Sequence, residues 1–238
     1  MGPSLYYVCT HMITMHKLKS AKFVTSVGSI KDYQSKEWEL PEICLVGRSN
    51  VGKSSLVNML TNHRGLARVS NSPGRTRLLN FFELAVTDSE RPDDEDRLML
   101  VDLPGYGYAA ASKATKEAFS QLIGEYLESD NNLKFCFVLL DIRHAPSKLD
   151  TEMLAYLYRN MIPFGVIATK ADKLSKSQLN NAVTALSAHT GLGRDNIIPV
   201  DHKGYGKDNI IHKIAAVLES EDELRDMVED EFYAGTPL

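Results

Sequence analysis

Short apolar runs alternate with longer stretches of helical period along the middle of the chain. Glu42 to Val46 (EICLV) lies between Pro41 and Gly47 and reads as a buried strand, and Lys53 to Thr61 as the helix after it. Leu78 to Val86 (LLNFFELAV) and Leu98 to Asp102 (LMLVD) predict two strands joined by the polar connection TDSERPDDED, an exposed hairpin loop. Lys113 to Glu128 puts Ala114, Ala118, Phe119, Leu122, Ile123 and Tyr126 on one helical face. The spacing then predicts a strand at Phe135 to Asp141, a helix at Leu149 to Asn160 and a strand at Phe164 to Thr169. A helix at Ser177 to His189, a strand at Ile197 to Val200 and a helix at Asn209 to Leu218 complete the series. Six strands separated by helices imply an α/β fold, a mainly parallel sheet with helices on both faces. Residues 1–38 read as an N-terminal extension, 39–218 as the folded body and 219–238 as an acidic C-terminal tail.

The first strand and helix bracket a motif. Gly47-Arg48-Ser49-Asn50-Val51-Gly52-Lys53-Ser54 fits G-x-x-x-x-G-K-[ST], in the strand–loop–helix setting that a phosphate-binding loop needs. Its glycines let the backbone approach phosphates, while loop N–H groups and the helix N-terminus point at them. Lys53 is expected to reach the β- and γ-phosphates and Ser54 to ligate Mg²⁺, with Ser55 beside it in the same helical turn.

The choice of base follows from Thr169-Lys170-Ala171-Asp172, which stands at the end of a strand, where α/β sheets bind ligands. A carboxylate at Asp172 can accept from guanine N1–H and N2–H₂. Adenine would leave it unpaired and be rejected. Asp102-Leu103-Pro104-Gly105 supplies a D-x-x-G segment, with Asp102 in the Mg²⁺ shell through water and the Gly105 N–H sensing a γ-phosphate. Between these motifs, Thr76 is the candidate second Mg²⁺ ligand. Together the motifs predict a GTP-binding switch domain, with Lys53, Thr76 and Gly105 as its catalytic candidates. An ATPase or small-molecule kinase is disfavoured by Asp172 and the D-x-x-G segment together.

Charge adds a partner class. Glu219 to Leu238 holds eight acidic residues and one Arg, a charge of −7; subtracting it from the net −4 leaves +3 for residues 1–218. A mildly basic body admits a nucleic-acid partner without requiring one. Arg64, Arg68, Arg75 and Arg77 crowd the expected switch segment, and read either as ordinary solvated side chains or as contacts to RNA phosphates. Arg143 and His144 in DIRHAP read either as structural or as part of that surface. The three cysteines show neither metal-ligand nor disulfide spacing, consistent with a reducing cytosol. No apolar run is long enough to span a membrane. A cytoplasmic monomer with no membrane partner is the expectation.

PEICLVGRSNVGKSSLVNML, SPGRTRLLNFF, DLPGYGYA, DIRH and TKADKL resemble the EngB (YihA/YsxC) family of bacterial GTPases, over roughly Ala21 to Leu218. The resemblance implies the P-loop GTPase fold of the translation-factor-related class. It also implies a role in assembly of the large ribosomal subunit, and so in normal growth and division, with that subunit or its RNA as partner beside GTP and GDP. By resemblance the nucleotide contacts are Gly47 to Ser54, then Gly74, Arg75, Thr76, Arg77 and Leu78, the Asp102 to Gly105 segment, and Thr169 to Asp172; Ser54 and Thr76 bind Mg²⁺. The last guanine loop departs from the family's Ser-Ser or Ser-Ala: here it reads Val200-Asp201-His202. Backbone contacts to guanine O6 survive that change, whereas a small hydroxyl's side-chain contact does not.

Two expectations go further. Tyr106 stands where Ras-like enzymes carry a water-orienting Gln, so unassisted turnover should be slow, at or below about 10⁻³ to 10⁻² s⁻¹. Asn50 either holds a K⁺ ion beside the phosphates, as in GTPases similar to this one, or simply tolerates a left-handed loop conformation. Two other classes stay open: a regulatory GTPase acting on a protein effector through its acidic tail, and a GTP-binding scaffold with negligible hydrolysis.

Overall fold

The computed structural model describes residues 15–34, 39–63, 65–67, 78–89, 93–107, 121–128 and 132–234, with side chains in the last helix described to residue 220. Seven strands, β1 (His16–Val27), β2 (Glu42–Gly47), β3 (Leu79–Asp88), β4 (Glu95–Asp102), β5 (Leu133–Asp141), β6 (Phe164–Thr169) and β7 (Ile197–Pro199), form one sheet. Helices α1 (Ile30–Gln34), α2 (Lys53–Leu60), α3 (121–128), α4 (Lys148–Arg159), α5 (Lys176–Thr190) and α6 (Lys207–Ala234) connect and flank them. The strand order is β1-β3-β4-β2-β5-β6-β7. β3 runs antiparallel to both β1 and β4, and the remaining neighbours are parallel.

The expected α/β architecture holds, with seven strands in place of six. The additional strand, β1, lies within the segment that read as an extension. Its pattern is weak because it is an edge strand, half of its residues exposed, with bulges between Leu18 and Ser20 and between Phe23 and Thr25 that interrupt the two-residue period. Leu18 and Ala21 still pack against the core, and Val27 is buried. Residues 113–120 of the helix expected at Lys113 to Glu128 lie outside the described residues. The helix expected at Asn209 to Leu218 continues through most of the acidic segment, to Ala234.

Both sheet faces are covered, which is why the central strands read as unbroken apolar runs. One core gathers Cys44, Val138 and Val166 under Tyr126 from α3, Leu157 from α4 and Leu186 from α5. The other sets Ile43, Leu45 and Phe137 against Leu56 and Leu60 of α2 and Ile210 and Ile214 of α6. α4 and α5 open on capping boxes, Ser147 with Asp150 and Ser175 with Gln178, which satisfy N–H groups that a helix start leaves bare. β2 lies between β4 and β5, where the chain switches from building one side of the sheet to the other. The carboxyl end of β2 is therefore the place in this sheet where a ligand crevice is expected.

Candidate nucleotide site

The phosphate loop leaves that end of β2 and turns directly into α2. Gly52 caps the helix with φ 119°, a conformation side chains rarely adopt, and Asn50 is left-handed at φ 64°. Lys53 is buried, 7% exposed, with Nζ donating to the Gly47 carbonyl at 3.1 Å. Burial lowers its pKa, and the Asp102 charge works in the opposite direction. Ser54 is half-buried in the first turn of α2. The loop is thus held in shape by its own lysine.

Asp102 ends β4 and is also buried. Burial pushes its carboxyl up to about 6, against the pull of Lys53 and a hydrogen bond involving Asn80. Among the described residues, its Oδ1 is the one buried side-chain polar atom without a hydrogen-bond partner. A buried carboxylate oxygen in that state is unfavourable unless something else completes its environment. The Ser54 hydroxyl in the first turn of α2 and the Asp102 carboxylate are both hard oxygen donors, the chemistry that suits a Mg²⁺ shell that keeps several waters.

Beyond Asp102 the chain lies along the phosphate loop. Leu103 N–H donates to Leu45 O at 3.1 Å, and Pro104 is buried. Ser49 N–H donates to Tyr106 O at 2.9 Å, Tyr106 N–H to Gly47 O at 3.3 Å, and Ser49 Oγ to Gly105 O at 3.1 Å. Gly105 is required by this approach, since a Cβ there would come within 2.9 Å of the Ser49 backbone. The Tyr106 phenol turns toward α4 and donates to Asp150 Oδ1 at 2.9 Å.

The base side collects at the ends of β6 and β7. A cavity of about 190 Å³ is bounded by Gly52, Thr169, Lys170, Asp172, Val200 and His202, among others, so the sequence-predicted guanine residues do converge. Thr169 Oγ1 lies 2.9 Å from Val51 O and ties this corner to the phosphate loop, while Ala171 N–H donates to Val200 O at 3.0 Å. Asp172 is held below the ordinary carboxylate range, first by Lys173, whose Nζ is 2.9 Å away, with His202 Nδ1 at 3.8 Å adding to it. Asp201 turns back on its own loop and accepts from the N–H groups of Lys203 (2.7 Å) and Tyr205 (3.0 Å). It therefore shapes the loop and leaves His202 beside the cavity.

Sequence reasoning missed one carboxylate. Asp141, at the end of β5, accepts from Lys170 Nζ at 2.8 Å and from Arg143 through Nε (2.9 Å) and Nη2 (2.7 Å). Lys170 also reaches Asn50 O at 3.4 Å, so Asp141 positions the lysine of the base motif over the phosphate loop. Partial burial works against the charged form of Asp141, but the bonds from Arg143 and Lys170 outweigh it and lower its pKa. The signal was an acidic residue at a strand's carboxyl end, in DIRH. Arg143 is thereby committed to a structural pair. Gly74, Arg75, Thr76 and Arg77, with Arg64 and Arg68, lie outside the described residues; Leu78 is described, and 40% exposed.

Residues 42–170 match the family described as 50S ribosome-binding GTPase. A probable GTP-binding protein EngB of Flavobacterium psychrophilum is 45% identical over 186 residues, 78% of this chain and 84% of that protein. The chain belongs to the EngB family of GTP-binding proteins. The EngB counterpart from Pelotomaculum thermopropionicum is 40% identical over 199 residues, covering 77% of this chain and 94% of the relative. Two solved structures share the fold. A probable GTP-binding protein EngB has a TM-score of 0.59 at 22% identity, over 75% of this chain and 99% of that one. Era in complex with MgGDPNP and a segment of 16S ribosomal RNA also has a TM-score of 0.59, at 21% identity, over 73% and 55%. Among the described residues no helix is long and apolar enough to cross a membrane.

Proposed function

We propose that this EngB-family GTPase is a slow GTP-driven switch acting in assembly of the large ribosomal subunit, and through it in growth and division. The observation that carries the switch reading is the D-x-x-G segment, which begins at a buried carboxylate with an unpartnered oxygen and runs directly against the phosphate loop. The ribosomal reading is supported by the EngB relatives and by the description of the family.

Phosphate-loop N–H groups and Lys53 bind the phosphates. Ser54 and Thr76 hold Mg²⁺ directly and Asp102 holds it through water. Held there, Mg²⁺ would supply positive charge that offsets the charge of the phosphates. Gly105 presents its N–H to the γ-phosphate, the Lys170 stem covers the base, and Asp172 reads its guanine edge. Slow turnover is expected, because the phenol of Tyr106, the residue after Gly105, is bonded to Asp150 of α4. The left-handed backbone already accounts for an asparagine at position 50. Faster turnover in KCl than in NaCl would add the K⁺ role, and equal rates would remove it. Arg64, Arg68, Arg75 and Arg77 are the candidate RNA contacts, presented when GTP orders their segment.

Co-sedimentation with purified large subunits, with GDP and with a non-hydrolysable GTP analogue at one fixed salt concentration, tests the proposal. Retention with the analogue and loss with GDP is the expected result. Retention in neither state would transfer the role to a protein effector.

A further inference from the structure

The phenol of Tyr106 and the carboxylate of Asp150 join elements that no nucleotide motif requires to meet. Tyr106 follows the D-x-x-G segment; Asp150 is in the first turn of α4 and is buried. The two are bonded at 2.9 Å. Asp150 is held on its other side, where Oδ2 accepts from Ser147 N–H at 2.8 Å and Ser147 Oγ at 2.7 Å. It is therefore a fixed anchor. The backbone of Tyr106 is fastened at the same time: its N–H and carbonyl both bond the phosphate loop, through Gly47 and Ser49. Both donors of Ser49, its N–H and its hydroxyl, are consequently engaged by the carbonyls of Tyr106 and Gly105.

That arrangement holds the segment against the phosphate loop. The segment touches Ser49 too closely even for a methyl group, and on the GTP-switch reading a move of Gly105 toward a γ-phosphate would take it out of that contact. Lifting releases the two bonds to Ser49 and pulls the ring of Tyr106 away from Asp150. A diphosphate asks for none of this.

We propose that Tyr106 and Asp150 are a positioning pair that latches the D-x-x-G segment in its resting place and so sets the preference between GDP and GTP. The proposal rests on the reading of this site as a GTP switch and names what biases it.

The test is the ratio of dissociation constants for GDP and a non-hydrolysable GTP analogue, measured by calorimetry on the full chain. Tyr106→Phe removes the hydroxyl alone and is expected to shift the ratio about five- to tenfold toward the analogue, a coupling of ordinary size for linked sites. Tyr156→Phe, which loses a surface bond to Glu128, is the control and leaves the ratio unchanged. A ratio within about twofold of the parent, or a shift toward GDP, overturns the proposal even if the melting temperature falls. Amide hydrogen exchange on the unaltered protein supplies a second readout, independent of any variant's folding. The Ser49 and Tyr106 amides should exchange about tenfold faster with the analogue than with GDP, and equal protection overturns the latch. Failure to bind either nucleotide would instead refute the GTP-switch reading itself.

Discussion

The two ends of the nucleotide site are built on different principles. At the phosphate end, Lys53 and Asp102 are buried, their pKa values are displaced toward the neutral forms, and backbone hydrogen bonds dominate. At the base end, Asp172 and His202 reach solvent, and Asp172 rests against the adjacent Lys173. Burial makes the phosphate end rigid and electrically strained, ready for a ligand that brings both negative charge and a divalent cation. On the proposed reading, the specificity of the base end lies in one carboxylate that would leave a weak surface partner for a better one. If the proposed roles hold, recognition of charge is preorganised by the fold, whereas recognition of the base is an exchange of partners.

The comparison breaks most severely at Asp172. On the proposed role, Asp172→Asn would lose two charge-assisted bonds to guanine, and GTP affinity should fall about a thousandfold by titration calorimetry. Xanthine nucleotides, which present a carbonyl where guanine has its amino group, should recover part of the loss. The phosphate end should respond in the opposite sense when its strain is removed. Asp102→Asn is expected to stabilise the nucleotide-free protein by about 1–3 kcal/mol in urea unfolding at neutral pH, because folding raises this carboxyl to about 6 even with the pull of Lys53 and a neutral amide removes that cost. The same variant should lose the Mg²⁺-dependent part of its nucleotide affinity.

Asp141 sits between the two ends. Its pKa is lowered on folding, so its contribution is present above the unfolded value and lost as pH falls through the folded one. Stability should therefore decline below about pH 4. Asp141→Asn should flatten that acid limb and cost about 1 kcal/mol at neutral pH, with weaker GTP binding through Lys170. The smallest effect should come from Lys173→Ala, an exposed pair whose loss changes affinity by about threefold or less. A large effect there would mean the base end is as prebuilt as the phosphate end.

What was legible in the sequence follows from how each contact is made. The phosphate loop and base motif are contiguous because backbone groups and one strand end must face the ligand together. Their residues could be named, and the structure brings Gly52, Thr169, Asp172 and His202 to one cavity. Tyr106 and Asp150 are 44 positions apart, and nothing local marks them as partners. Asp141 was visible only as the first letter of DIRH. β1 was illegible for a different reason: an exposed strand interrupted by bulges satisfies no period.

That overlooked strand has a consequence for how the protein survives in solution. β3 carries LNFFELAV, and on its outer side β1 occupies the hydrogen-bonding row from Leu79 to Asp88. β1 in turn presents exposed Lys17, Lys19 and Lys22. Charged residues of this kind discourage pairing with another sheet. A chain shortened to begin at β2 would keep every nucleotide motif and still bare the apolar row of β3. Such a chain should associate with itself through that edge, so β1 acts as a guard against aggregation.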